Sequence, residues 1–142
     1  MRIVADTNTV VSGLLWPGTP RRVLDAGRHQ KITLVTSPTL LAELAEVSAR
    51  DKFAKPIQRA KLSARELVED YARIAQVIEA PALPQPVSRD PDDDAVLACA
   101  IKAQADAIVS GDGDLLELKS YQGIPILTAA QAVTRINAKS KT

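Results

Sequence analysis

Two aspartates directly follow short apolar runs that have the composition of β-strands. Asp6 follows RIVA at residues 2–5, and Asp112 follows AIVS at residues 107–110 after one glycine. Open α/β sheets bind ligands just beyond the carboxyl ends of their strands, so both carboxylates are expected at one edge of a sheet. Each would also suit an ordinary helix N-cap. Asp114 is a weaker candidate, because it falls in the first turn of the helix that follows Asp112.

A run of acids, RDPDDD at residues 89–94, begins another predicted helix. Asp90 before a proline fits an N-cap, and Asp92 and Asp93 suit the first turn, where carboxylates interact favourably with the helix dipole. At about 100° per residue, Asp94 falls in the apolar stripe formed by residues 97, 98, 101 and 105. Asp94 is therefore predicted to point into the protein, where a carboxylate needs a cation or hydrogen-bond donors.

Helical phase also separates two glutamates in the segment SPTLLAELAEV at residues 37–47. Glu43 stands about 40° from Val47, at the border of the buried face, whereas Glu46 lies on the opposite side. Only Glu43 can readily reach a pocket shared with the aspartates. A glutamate at such a border is more often simply half-solvated.

Four carboxylates from four separate segments would repel one another unless divalent cations lay among them. Mg²⁺ and Mn²⁺ prefer such all-oxygen, water-rich sites, where their chemistry is phosphoryl transfer. Cys99 is the only cysteine and His29 the only histidine. That count excludes a disulfide framework and a Cys/His zinc cluster, so any metal here is expected to have oxygen ligands.

The elements that would position these acids alternate between strand and helix, which predicts an α/β fold with a parallel sheet. Strands are predicted at residues 2–5, 31–36, 107–110 and 124–127, with 76–79 as a possible fifth. Helical periodicity predicts helices near residues 20–30, 38–49, 62–78, 91–105, 114–119 and 129–138.

The chain is short enough for one domain, predicted over residues 1–138, with a disordered basic tail at 139–142. Residues 51–80 interrupt the alternation and are predicted to form a helical hairpin that caps one end of the sheet. The apolar flank of its second helix, residues 62–78, is the only hint of a dimer interface. A proline-rich connector follows at residues 81–86.

Composition narrows the class of protein further. Hydrophobic residues make up 46% and aromatic residues only 3%, so the core must be aliphatic, as in layered α/β folds. A net charge of +1 argues against a uniformly basic nucleic-acid-coating protein. No signal peptide is apparent, and no apolar run approaches the roughly 20 residues of a membrane span. A cytoplasmic location without a membrane partner is expected.

Four short stretches in fixed order span nearly the whole chain: IVADTN at residues 3–8, LAEL at 41–44, DPDDDAVLA at 90–98 and IVSGDGDL at 108–115. Together they resemble the PIN-domain nucleases, and within them the VapC-like toxins of bacterial and archaeal toxin–antitoxin pairs. The resemblance implies a PIN-like, Rossmann-like parallel sheet of four to five strands flanked by helices, with a helical hairpin insertion.

The resemblance also implies a site and an activity. The activity would be endonucleolytic cleavage of RNA by a water that Mg²⁺ or Mn²⁺ activates, and the expected partners are an antitoxin protein and a second copy of the chain. The implied metal ligands and catalytic residues are Asp6, Glu43, Asp94 and Asp112. The implied supporting residues are Asn8 and Ser110, while Asp93 remains an alternative to Asp94 and Asp114 an alternative to Asp112. Basic residues of the first helix and of the hairpin are candidates for RNA contacts, among them Arg21, Arg22, Lys52 and Lys55.

Three other functions are compatible with parts of this pattern. A response-regulator receiver also has an acidic Mg²⁺ pocket, but it needs a pair of acids after its first strand, where this chain has only Asp6. A haloacid-dehalogenase-type phosphatase needs a second aspartate at the position of Asn8. A PIN fold that binds RNA without catalysis would not need all four acids.

Overall fold

Six short strands form one sheet across residues 1–140, which are the residues that the computed structural model describes. The strands are β1 (Arg2–Ala5), β2 (Thr33–Thr36), β3 (Ala75–Val77), β4 (Ala107–Val109), β5 (Ser120–Tyr121) and β6 (Ile124–Leu127). Their order is β3-β2-β1-β4-β6-β5, and every neighbouring pair is parallel except β5 and β6. The predicted parallel α/β sheet is confirmed, with six strands where four or five were expected.

Helices cover both faces of this sheet. They are α1 (Thr7–Leu15), α2 (Thr19–Arg28), α3 (Pro38–Ser48), α4 (Ala54–Arg59), α5 (Ala64–Ile74), α6 (Pro91–Ala103), α7 (Gly113–Leu118) and α8 (Ala129–Ser140), with a 3₁₀ turn at Asp51–Phe53. Helix α1 is not predicted by the sequence pattern. Its buried residues include Thr7, Thr9 and Gly13 beside its valines, so no clean apolar stripe marks the helix.

The central strands alternate between two cores. Ile3, Leu34 and Ala107 pack on one face, whereas Val4 and Ile108 pack on the other. This alternation follows from the two-residue period of a strand, and burial on both faces explains the continuous apolar runs. The sheet is thus held rigidly where its strands end, and Asp6 and Asp112 follow the ends of two of these strands.

The segment predicted as a helical hairpin forms the 3₁₀ turn, α4 and α5. The side chains of Leu67 and Tyr71 on α5 are almost completely buried against the first core, and α5 leads directly into β3. Its apolar stripe is therefore core rather than a free face for a dimer. Residues 139 and 140 of the predicted tail continue α8, whereas 141–142 lie outside the described residues. None of the helices within residues 1–140 is long and apolar enough to cross a membrane.

Candidate metal centre

Asp6 lies at the end of β1 and is the N-cap of α1, with only 6% of its surface exposed. Its Oδ1 accepts a hydrogen bond from the backbone N–H of Thr9 at 2.9 Å. Its Oδ2 accepts one from the hydroxyl of Ser110 at 2.5 Å. Both carboxylate oxygens thus have donors, which is what a buried negative charge requires.

Ser110 connects Asp6 with Asp112. It follows β4, which pairs with β1, and its Oγ accepts a hydrogen bond from the backbone N–H of Asp112 at 2.9 Å. Asp112 is the N-cap of α7, and its Oδ1 accepts from the N–H of Asp114 at 2.8 Å. The two strand-end acids therefore lie at one edge of the sheet and are linked through a single hydroxyl.

The structure turns Asp93, rather than Asp94, into this edge. Asp93 is 5% exposed, whereas Asp94 is half-buried and accepts hydrogen bonds from the backbone N–H groups of Val87 and Ser88 at 3.2 and 2.8 Å. The acid that points inward is therefore Asp93, one residue before the predicted Asp94. Residues 96, 99, 100 and 103 of α6 are also buried. The buried face of this helix is therefore centred on other positions than the apolar residues 97, 98, 101 and 105 from which the orientation of Asp94 was predicted.

Among residues 1–140, Asp93, Asp112 and Asp90 form a cluster that could hold a metal ion, with one oxygen from each within 4.8 Å of the others. Burial, and after it the negative charge of Asp112, raises the pKa of Asp93 to about 7. A hydrogen bond from the hydroxyl of Ser88, at 3.1 Å, acts in the opposite direction. Two carboxylates this close can share a proton or a cation, but both cannot be charged at low cost.

Glu43 approaches the same edge from α3. Its half-buried side chain makes a hydrogen bond with the side chain of Thr7, the residue after Asp6. The pKa of Glu43 is raised to about 7, mainly by burial. The bond to Thr7 acts in the opposite direction, and the charges of the nearby aspartates add to the increase. Glu43 therefore lies within the electric field of the aspartates.

The remaining candidates take more ordinary positions. Asp114 forms an ion pair with the exposed side chain of Arg89 at 3.1 Å. Asn8 is exposed and lines a cleft of about 420 Å³ together with Ser110 and Asp112. Asp114 thus has a cationic partner of its own, whereas Asn8 borders an open space beside Asp112.

The four proposed RNA contacts divide into two kinds. Arg21 donates to the backbone carbonyls of Gly13 and Leu14 at 3.1 and 3.3 Å, so it holds the end of α1. Arg22 lines a separate pocket with His29. Lys52 and Lys55 are exposed after α3.

Three residues near the acids were not predicted as part of the site: Thr7, Ser88 and Asp90. Asp90 was interpreted only as an N-cap, which it is, with Oδ1 accepting from the N–H of Asp92 at 2.9 Å. The cap geometry does not prevent the Asp90 carboxylate from lying close to Asp93 and Asp112. Thr7 and Ser88 have no sequence signal beyond their place next to an acid.

Comparison with known proteins decides the family. Residues 2–114 match the PIN domain. The chain belongs to the PIN-domain family. Membership of this nuclease family supports hydrolase activity on nucleic acids, and it favours a nuclease over a receiver or a phosphatase.

Two further proteins are similar to this PIN domain, one in sequence and one in fold. It is 30% identical over 120 residues to an uncharacterised protein of Methanocaldococcus jannaschii, covering 84% of this chain and 76% of that protein. Its fold is similar to a chain in the crystal structure of VapBC2 from Rickettsia felis bound to a DNA fragment from their promoter. That match has a TM-score of 0.59 at 16% identity, covering 89% of this chain and 97% of the other. The second likeness concerns the fold alone.

The acids of this PIN domain fit a divalent cation. Every candidate ligand is a carboxylate oxygen, the donor type that Mg²⁺ and Mn²⁺ prefer. The charges that raise the pKa of Asp93 and Glu43 come from neighbouring carboxylates, an arrangement that favours a compensating positive charge. A cation would supply that charge.

Proposed function

We propose that this PIN domain is a Mg²⁺- or Mn²⁺-dependent endoribonuclease and the toxin component of a toxin–antitoxin pair. The observation that carries the proposal is the proximity of Asp93 to Asp112, at the sheet edge where Asp6 ends β1. A divalent cation bound there would supply an activated water and offset the charge that develops on a phosphate.

Each acid has a distinct role in this proposal. Asp6 is held by Thr9 and Ser110, so it offers a fixed ligand with little freedom to lose. Asp93 and Asp112 complete the principal site from α6 and α7, and Asp93 takes the place expected for Asp94. Glu43 faces them from α3, where it can accept a proton or hold a second cation that arrives with the substrate.

The residues around the acids position them rather than react. Ser110 orients two of the ligands, Ser88 orients Asp93, and Thr7 orients Glu43. The 420 Å³ cleft in front of Ser110 and Asp112 gives a phosphodiester access to this edge. No side chain here needs to act as a nucleophile.

The toxin assignment rests on fold similarity to a chain of the Rickettsia felis VapBC2 complex. An antitoxin would bind over the acid edge, and the chain would pair with a second copy. Copurification of this chain with the product of a neighbouring small gene, and loss of activity in that complex, would support the assignment.

The activity is tested with purified protein and an end-labelled single-stranded RNA. Internal cleavage is expected with Mn²⁺ or Mg²⁺ and none with excess EDTA, and a DNA strand of the same sequence measures the preference for RNA. Cleavage that persists at full rate in EDTA would contradict metal dependence. If a sample shown to be folded cleaves no RNA with either metal, the result would indicate a PIN domain that binds RNA without cutting it.

A further inference from the structure

Trp16 is the only tryptophan of the chain, and it lies on the surface directly after α1. Its side chain is 42% exposed although aromatic residues are scarce. The indole ring is held in place by Phe53, with ring centroids 6.2 Å apart and a tilt of 48°. Phe53 itself is buried, and the Nζ of Lys52 lies 5.0 Å from the centre of its ring. Trp16 thus presents an oriented aromatic surface to solvent.

Positive charge is concentrated in the segment that contains Phe53, the ring that Trp16 contacts. Residues 50–61 contain five basic side chains and one acid, a net of four positive charges in a chain whose total is +1. The five are Arg50, Lys52, Lys55, Arg59 and Lys61. All five are exposed. Arg50 forms an ion pair with Glu46 at 3.7 Å, so the other four carry the charge that this segment offers to a polyanion.

Two helices connect this surface with the acids. Thr7 at the start of α1 makes a hydrogen bond with Glu43 on α3, and Trp16 at the end of α1 contacts Phe53 beyond α3. The helices therefore run side by side in the same direction. Nine residues of α-helix rise roughly 14 Å, which sets the distance from the acids to the aromatic surface.

We infer that Trp16 and the basic residues 50–61 bind single-stranded RNA, with a base stacked on the indole and phosphates near Lys52 and Lys55. Aromatic rings flanked by cations are how proteins hold unpaired nucleic acid, since every base has a face that can stack. Bases of a duplex are already stacked and cannot use the ring. The inference rests on the proposed ribonuclease function and gives the strand a path to the acids.

The single tryptophan reports on this surface directly. A short single-stranded oligoribonucleotide is titrated into the protein in EDTA and low salt, so that binding is read without cleavage. We expect saturable quenching of Trp16 fluorescence, at least tenfold tighter for the single strand than for the matching duplex. The affinity should fall steeply with added salt, because phosphate contacts release counterions.

Variants separate stacking from a general loss of structure. By anisotropy of a labelled RNA, Trp16→Ala should bind roughly tenfold or more weakly, whereas Trp16→Phe should stay within a few-fold of the wild type. Lys52→Ala combined with Lys55→Ala should reduce both the affinity and its salt dependence. Leu118→Ala, which shortens an exposed apolar side chain on α7, is the control and should not change binding.

The outcomes distinguish this inference from the proposed function. Metal-dependent RNA cleavage by the wild type without any fluorescence response would overturn the inference and leave the ribonuclease proposal standing. The inference would also be overturned if Trp16 fluorescence changed with protein concentration alone and sedimentation showed a dimer, because the surface would then join two copies. Quenching by RNA without metal-dependent cleavage would support RNA binding here and contradict the ribonuclease.

Discussion

Ser110 donates its hydroxyl proton to the Oδ2 of Asp6 at 2.5 Å, across the boundary between two neighbouring strands. The Oγ of Ser110 also accepts a hydrogen bond from the backbone N–H of Asp112. One buried serine therefore fixes the relative position of two carboxylates that are 106 residues apart in the chain. Because metal affinity depends on the orientation of the ligands, the site should be sensitive to this hydroxyl.

Replacing Ser110 by alanine should weaken Mn²⁺ binding and RNA cleavage by about 10- to 100-fold, the usual effect of losing a ligand's hydrogen-bond partner. It should also lower the free energy of unfolding by about 1–3 kcal/mol, since Asp6 loses a donor in a buried place. Calorimetric titration with Mn²⁺ and denaturant unfolding measure the two effects. Ser12→Ala removes a hydroxyl from the cleft that Ser110 also lines. This control should change neither the Mn²⁺ affinity nor the free energy of unfolding by much. Equal losses in both variants would show that Ser110 has no special role.

Asp93 and Asp94 are adjacent in sequence but should respond differently to substitution. Asp93→Asn should abolish stabilisation by Mn²⁺, because it removes a charge from the acid cluster. Asp94→Ala should lower the melting temperature, because Val87 and Ser88 lose their acceptor, yet it should preserve the increase that Mn²⁺ produces. Thermal unfolding of both variants with and without Mn²⁺ decides between them. The reverse pattern would restore Asp94 as the ligand.

Asp112 and Asp114 can be separated in the same way. Asp112→Asn keeps an N-cap residue on α7 but removes the charge, so stability should change little while cleavage falls at least a hundredfold. Asp114→Asn breaks a mostly exposed ion pair with Arg89, which should cost less than about 1 kcal/mol and leave cleavage within a few-fold. Initial rates at saturating Mn²⁺ make the comparison. A greater loss of activity in the Asp114 variant would place the fourth acid there.

Stability without metal should fall as the pH rises from about 4 to 7. Burial raises the pKa of Asp93 and of Glu43 to about 7, from 3.8 and 4.5. Across that interval the folded protein holds more protons than the unfolded chain, so raising the pH favours unfolding. Melting temperatures in EDTA should therefore decrease through this window, and the stabilisation by Mn²⁺ should increase, because the cation competes with protons.

The control for this pH dependence is the double variant Glu43→Gln, Asp93→Asn, which lacks both titrating groups. Its melting temperature should depend less on pH over the same range. An identical pH profile in the variant and the wild type would show that other groups dominate.

The sequence predicted the strand-end acids well because a strand end is a local event. Asp6 and Asp112 each follow a run of aliphatic residues, and parallel strands necessarily bring such ends to one edge. Glu43 was separated from Glu46 by helical phase, and the structure leaves Glu43 half-buried and Glu46 exposed. These are the cases in which a residue's surroundings follow from its own element.

Helical phase was less informative for α6. This helix is buried around most of its circumference, so the apolar residues do not mark one face, and the predicted centre was off by one position. The same reason explains the missed α1. Contacts such as Ser88 with Asp93, or Trp16 with Phe53, depend on how separate segments pack, and no local pattern contains that information.

The central claim is that the acid edge of this PIN domain binds a divalent cation and uses it to cut RNA. Its most direct test is Mn²⁺-dependent cleavage of single-stranded RNA by wild-type protein and by Asp6→Asn, purified in parallel so that a contaminating nuclease would appear in both. Asp25→Asn, at a surface ion pair with Arg28, is the control and should cleave normally. We expect the Asp6 variant to fold and to lose at least a hundredfold in rate. Undiminished cleavage by that variant would contradict the account.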